Sequence, residues 1–464
     1  MNDRTCVKRY LGAISLSLLV SVARGPLSLA GEAVADSALT GTLSILHGDG
    51  LPGSGVETLA VLGLVDETGA WIPLRLESAL KASAVGLTSL AGQRVRVTGR
   101  WLAAAADASG GPDFEAATIE ALDLPGEAIA VAEATTVNAP YVTILCRYAD
   151  SINVTPHPPS YYNSLMGTAA RTRFPSMTDY WREQSYSALS LDGSVVVGWY
   201  NLPQPQSYYI PNGNPDFGRL TDDCTAVADA DVFFPSFSGI NLFFNGGVGC
   251  CGWGASNWVI TRDGQTKSYG LVWQPPSLQN LVGVAHEMGH SLGDPHSDCG
   301  VWEKIGACRI SDPVLGCIPD HDLAAYKDLY HGWIPSGRIY AAQDPSTKTI
   351  TLQRLAQPAA QGYLLARIPI GGSATHFYSV EARRFAGYDA SMPGEAVIIQ
   401  DVDTTRPEPA HIVDADGGDC GDKGAMWTVG ERFVDLANGI TISVDSASSN
   451  SFKVTIHLCS ICDQ

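Results

Sequence analysis

The chain has 464 residues, with 48 glycines, 27 prolines and a formal net charge of −19. That length exceeds one ordinary core and predicts two or three domains, and the glycine and proline content points to strands and turns rather than helical bundles. The acidic balance argues against nucleic acid or an anionic membrane as a partner.

Residues 1–35 read as an export signal. Arg4, Lys8 and Arg9 make a basic start, LGAISLSLLVSVA (Leu11–Ala23) is the apolar core, and Ala33-Val34-Ala35 offers a small-x-small cleavage site before Asp36. The apolar run is short for a membrane anchor, and no later segment is apolar for long enough to span. The expectation is therefore a secreted, soluble monomer. Cys6 falls within the signal, which leaves ten cysteines, an even number suited to disulfides in an oxidising compartment. Cys250 and Cys251 are expected to pair elsewhere, because a vicinal bridge is strained. Cys459-Ser-Ile-Cys462 reads as a structural bridge rather than a redox pair.

Residues 36–123 read as a small β domain, barrel or sandwich. TLAVLGLV and AWIPLRL flank DETG, a hairpin signal, and QRVRVTGRWL alternates Val95 and Val97 against Arg94, Arg96 and Thr98. No cluster of chemical residues is evident in it. Residues 124–140 read as a linker. From 141 to 340 strands and helices alternate: YVTILC as a buried strand, SMTDYWREQSY as a capped helix, GSVVVGWYNL as a strand, LTDDCTAVADADVFF as a helix and GINLFFNG as an apolar strand. Residues 341–464 are strand-like throughout, so the fold class is α+β.

The chemistry concentrates in VAHEMGHSLGDPHSD (Val284–Asp298). Pro276 and Ser277 suggest a helix start, and Leu281, Ala285, Met288 and Leu292 recur at helical spacing as a buried stripe. His286 and His290, four apart, project side by side from one face. Gly293 can take the left-handed conformation that ends a helix, and the turn lets His296 return as a third ligand. Three imidazoles leave a zinc ion one open position, the mark of a catalytic site. Glu287 is placed to act as general base on a water there. The full HExxHxxGxxH pattern is far more specific than a lone HExxH.

With these residues the chain resembles the metzincin zinc peptidases, and more narrowly the immune inhibitor A-type and gametolysin-type families, over roughly residues 141–458. YWREQSYSALSLDGSVVVGWYNLP, HDLAAYKDLYHGWIP and SVEARRFAGYDASMPGEAVIIQDVD resemble segments before and after the zinc helix in those families. The resemblance implies a secreted zinc endopeptidase acting on protein or peptide substrates, with His286, His290 and His296 on the metal and Glu287 as the catalytic base. Some immune inhibitor A-type members carry an acidic residue where this chain has His296. Metzincins also place a methionine on a turn beneath the zinc; the counterpart here is Leu315 in SDPVLGC, with Met392 and Met426 as other candidates. The alternative weighed is a secreted zinc-containing binding protein without catalysis.

Several other residues are expected to be structural. His321 and His331 flank the AAYKDLY helix, and Tyr326 and Tyr330 lie on it. Asp222, Asp223, Asp229 and Asp231 form an acidic cluster compatible with Ca2+, although their spacing fits no calcium loop and a solvated helix face is the plainer reading. Cys299, Cys308 and Cys317 follow the histidine motif, where bridges would fix the returning chain. Residues 36 to about 137 are placed as a removable pro-segment. That segment contains no cysteine, so any inhibition by it acts through coverage of the cleft or a carboxylate.

Overall fold

A computed structural model describes residues 37–50, 59–66, 70–77, 87, 90–102, 113–122, 136–168, 176–300, 311–312, 316–343 and 345–459. The export signal, most of the linker, Cys308, Leu315 and Cys462 lie outside the described residues. The protein is mixed α+β and rich in strands.

The N-terminal strands are β1 (Ser37–Asp49), β2 (Leu59–Val65), β3 (Trp71–Leu76), β4 (Arg94–Trp101) and β5 (Phe114–Ala121). They run in the order β2-β3-β5-β4-β1, and β1 also pairs with β2, so the sheet curls into a closed barrel. Closure needs one strand long enough to pair on both sides, and β1 is that strand: residues 37–42 pair with β4 and residues 42–48 with β2. The expected DETG hairpin joins β2 to β3 with Val65 opposite Trp71. Val95 and Val97 are buried while Arg94 and Arg96 are exposed, as the alternation predicts.

The middle strands are β6 (Tyr141–Arg147), β7 (Val195–Asn201), β8 (Gly239–Phe244), β9 (Gly252–Arg262) and β10 (Gln265–Gln274). They lie in the order β9-β10-β8-β6-β7, all parallel except β9. Every residue of β8 is buried and all but the last of β6, which is why both read as continuous apolar runs. The β9–β10 hairpin turns at Asp263-Gly264, both with positive φ, the Asp-Gly pair that a two-residue hairpin favours. Beyond β9 the sheet continues into β1 of the barrel, with Leu46, His47, Gly48 and Asp49 opposite Ala255, Gly254, Trp253 and Gly252.

Four helices matter for the site: α1 (Pro159–Met166), α2 (Met177–Gln184), α3 (Phe217–Ala228) and α4 (Leu281–Leu292). The start of α4 differs from expectation. Pro276–Leu278 is a separate 3-10 turn, and Asn280 caps α4 by accepting from the Gly283 N–H at 3.0 Å. An asparagine side chain satisfies an end donor that Ser277 is too far upstream to reach. Leu281, Ala285 and Met288 are fully buried, and Gly293 ends the helix at φ 110°. The helix lies unusually close to the sheet because glycines face it. A Cβ on Gly254 would sit 2.4 Å from the Glu287 carbonyl oxygen and 2.7 Å from the His290 Cβ, and one on Gly270 would sit 2.5 Å from the Ser291 carbonyl oxygen.

The C-terminal region contains β11 (Ile339–Ala341), β12 (Ser346–Gln353), β13 (Leu365–Pro369), β14 (His376–Arg383), β15 (Ala396–Asp403), β16 (Ala410–Ile412), β17 (Arg432–Asp435), β18 (Ile440–Ala447) and β19 (Ser451–Leu458). One sheet runs β11-β13-β14-β15-β16 and the other β12-β19-β18-β17, and residues of both share one apolar core. A buried ionic network joins this region to the segment before α5 (Ala324–Leu329). Arg383 pairs with Glu381 at 2.9 Å and Asp389 at 2.8 Å and donates to the His321 carbonyl, while Asp389 and Glu381 accept from the His321 and Ala324 N–H groups. Nearby, Glu183 of α2 accepts from the Tyr388 N–H and lies 3.2 Å from His321 Nε2.

Two predictions follow from this packing. Gly254→Ala pushes α4 off the sheet and costs about 1–3 kcal/mol, read as a lowered Tm, whereas Gly337→Ala, with open space around it, stays within about 0.5 kcal/mol. Burial opposes ionisation of Glu183, but the hydrogen bond and charge of His321 and the Tyr388 N–H win and hold it down at about 2. Its stabilisation is complete above the unfolded-state carboxylate value of about 4.3 and is lost as pH falls through about 2. The denaturant midpoints of wild type and Glu183→Gln therefore converge on acidification from pH 5.5 towards pH 2; a gap independent of pH contradicts this.

Candidate metal centre

α4 delivers His286 and His290, and the turn at Gly293 brings His296 back beside them. The Nε2 atoms of His286 and His290 are 3.0 Å apart, and all three histidines are buried. His290 Nδ1 donates to the Asp294 carbonyl oxygen at 2.7 Å. A carbonyl can only accept, so the Nδ1 proton is fixed and the Nε2 lone pair faces the cluster. The Asp294 carboxylate is itself 2.6 Å from His331 Nε2. Tyr326 donates to the His296 carbonyl oxygen at 2.8 Å, so this tyrosine positions the returning loop.

That loop is pinned again just downstream. The Asp298 N–H donates to the Ala410 carbonyl and its carboxylate accepts from the Ile412 N–H, so it lies along β16. Cys299 bridges to Cys420 with Cα atoms 6.0 Å apart. The bridge does fix the returning chain, but its partner comes from the C-terminal region rather than from the neighbouring cysteines. A second bridge, Cys146–Cys224, ties α3 to β6. Cys250 and Cys251 are bonded to each other, contrary to the sequence expectation.

A fourth group completes the cluster, and it was not foreseen. Asp49, the last residue of β1, places its carboxylate oxygens 3.0 Å from His286 Nε2, 3.4 Å from His290 Nε2 and 3.0 Å from His296 Nε2. Burial alone would raise its pKa, yet the charge of His286 and close contact with the imidazoles around it hold it well below the usual carboxylate range. Two residues earlier on the same face, the His47 ring stacks on His290 with centroids 4.4 Å apart, and its Nδ1 is 3.2 Å from His296 Nδ1. The N-terminal β domain thus does carry chemical residues, in the triplet His-Gly-Asp.

Asp49, His286, His290 and His296 form a buried group whose ligand atoms all lie within 4.8 Å of one another, which could hold a metal ion. The donor set fits one: imidazole nitrogens and a carboxylate are ligands that zinc and similar divalent ions take, and the His290 Nε2 lone pair already faces the cluster. Glu287 is buried on the same helix, and a Cβ on Gly252 would lie 2.7 Å from its Oε1. Gly252 is the residue opposite Asp49 in the ladder, so this carboxylate lies on the face of the sheet that also bears Asp49.

The other candidates sort differently. His321 meets Glu183, and Tyr330 packs edge-on against Tyr326. Asp222, Asp223 and Asp231 do not converge, since they face Arg262, Tyr209 and Tyr200 respectively. Among the described residues, the acidic group with metal-like spacing is instead Asp414, Asp416 and Asp422, which the alternation of aspartates and glycines in DADGGDCGDKG signals. Met392 is buried with Tyr326 and Cys299 in one apolar cluster, and Met426 packs against it.

No protein-family model matches the chain, and no curated protein is similar to it. The reading of the site therefore rests on its own geometry. His290→Ala is expected to reduce bound metal, measured by elemental analysis after gel filtration, from about one ion per chain to near none. His321→Ala, equally buried but outside the cluster, retains it.

Proposed function

We propose that the protein is a secreted zinc endopeptidase that hydrolyses peptide bonds of extracellular proteins. The observation that carries this reading is the convergence of three imidazole Nε2 atoms with a glutamate one position round the same helix. Nitrogen donors of this kind suit zinc, with His286, His290 and His296 holding it. When bound, zinc polarises a carbonyl and lowers the pKa of water to about 7. Glu287, held between α4 and β9, takes a proton from the attacking water and passes it to the leaving amine. His290 is kept in its ligating tautomer by the Asp294 carbonyl, and Tyr326 holds the loop that carries His296. The resemblance to the immune inhibitor A-type and gametolysin-type peptidases points the same way. Disulfide bonding suits an oxidising compartment, and no helix among the described residues is long and apolar enough to cross a membrane.

A second reading has one observation in its favour. In the full chain Asp49 fills a fourth place round the cluster, and a metal held by four protein groups is typically structural. A secreted binding protein with a structural metal would then be the result, and Glu287 separates the two. Protein cleavage is measured with the chain before and after limited proteolysis, beside Glu287→Ala, with zinc content recorded for each. The peptidase reading expects the variant to keep zinc and lose at least about 100-fold in kcat, the range of a general base. Equal cleavage by both, or none by either after proteolysis, contradicts it.

A further inference from the structure

We propose that Gln274, the last residue of β10, is a positioning residue for Glu287: its fixed side-chain oxygen accepts from the Glu287 carboxyl while that group carries the proton taken from the attacking water. This inference rests on the peptidase reading above and deepens it by naming what holds the general base during turnover.

Gln274 is an odd residue for its place. It ends the run Leu271-Val272-Trp273-Gln274, every member of which is buried, and is itself fully buried. An amide in such a run is costly unless its groups are paired. Its side-chain Nε2 donates to the Gly283 carbonyl at 2.8 Å, which ties the first turn of α4 to the sheet. Its main-chain carbonyl accepts from Gln279 Nε2 at 3.0 Å, and Gln279 Oε1 accepts in turn from the Tyr162 hydroxyl. A carbonyl can only accept, so the bond to Gly283 fixes which end of the Gln274 amide is which. Its Oε1 is thereby turned the other way, and among the described residues no group donates to it.

That oxygen faces the general base. The point where a Cβ on Gly252 would stand is 2.8 Å from Gln274 Oε1, 2.7 Å from Glu287 Oε1 and 3.0 Å from Leu278 Cδ1. Two acceptors therefore converge on one spot whose third side is apolar, and the glycine at 252 leaves that spot open. Beside an ionised carboxylate the amide oxygen has nothing to accept. Beside a carboxyl that holds a proton it gains a buried hydrogen bond. The contact thus favours the state that Glu287 enters during turnover. One O–H bond of the water breaks and one forms on Glu287; that bond breaks in turn as an N–H bond forms on the leaving amine. Gln274 neither gives nor takes a proton and acts only through Glu287.

The test includes readouts that do not depend on cleavage. Glu287→Gln puts a permanent donor where the carried proton would be, so it is expected to raise the Tm of the full chain by about 2 °C more in the wild-type background than beside Gln274→Met. In a crystal structure of Glu287→Gln alone, the side-chain amide at 287 is expected within hydrogen-bond distance of Gln274 Oε1, which keeps the test open if Gln274→Met folds poorly. After limited proteolysis, Gln274→Met is expected to lower kcat on a peptide substrate about 100-fold, with KM and zinc content within about twofold of wild type. A glutamine that served packing alone would move KM and zinc content as well. An amide at 287 turned away from Gln274, or kcat unchanged in Gln274→Met, overturns the proposal. Absence of the extra Tm gain, with cleavage by wild type, overturns the role of Gln274 alone. The extra Tm gain with no cleavage by wild type overturns the peptidase reading, and the role in proton transfer with it.

Discussion

Everything in the middle of this protein depends on one electrostatic constraint: three imidazole nitrogens and a carboxylate held within contact of one another in a place with almost no water. A buried carboxylate among imidazoles is held only where positive charge meets it, from a protonated ring or a bound cation. The surrounding architecture answers that constraint. Glycines 254 and 270 let α4 lie against the sheet, Asn280 fixes where the helix begins, and Gly293 turns the chain so that His296 faces His286. The Asp294 carbonyl and the Tyr326 hydroxyl then fix a ring proton and a loop position. None of these devices would be needed by a helix whose histidines merely packed.

What could be read from the sequence is what local spacing encodes. The 3.6-residue period placed His286 and His290 on one face, the apolar stripe placed Leu281, Ala285 and Met288 inside, and Gly293 marked the helix end. Alternation gave β4 its two faces, and continuous apolar runs gave β6 and β8. What could not be read is what the fold brings together from far apart. Asp49 follows a glycine at the end of a strand in a module with no motif, and its meaning comes only from the pairing of β1 with β9. Cys299 and Cys420 are 121 residues apart, and pairing of this kind leaves no trace in local pattern. The β9–β10 hairpin was legible in principle, since Asp263-Gly264 between apolar runs is a strong turn signal.

The C-terminal sheets belong to the same logic although they bear no residue of the cluster. Asp298 lies along β16, Cys299 is bonded to Cys420, and Arg383, Glu381 and Asp389 lock β14 to the segment before α5. Tyr326 on α5 then touches the loop of His296. A buried ionic network of this kind gains little net stability over apolar packing but is costly to break, so its value lies in fixing geometry. The position of the third histidine is thus set from behind by a region that reads, in sequence, as an appendage.

The contact between the barrel strand β1 and the histidine cluster has a thermodynamic consequence. If Asp49 ligates the metal, metal binding and barrel docking are linked, and each strengthens the other by the same factor. The apolar part of the interface, Trp71 on Trp258 and Leu46 in the shared core, is indifferent to metal, whereas the Asp49 contact is worth having only when the ion is present. A metal-free chain therefore holds its barrel less tightly than a loaded one. The chain also loads its metal most strongly while the barrel is docked, when four groups rather than three contribute. The barrel then helps to assemble the centre. Its removal exchanges metal affinity for an open position, the exchange that separates a structural metal from a catalytic one.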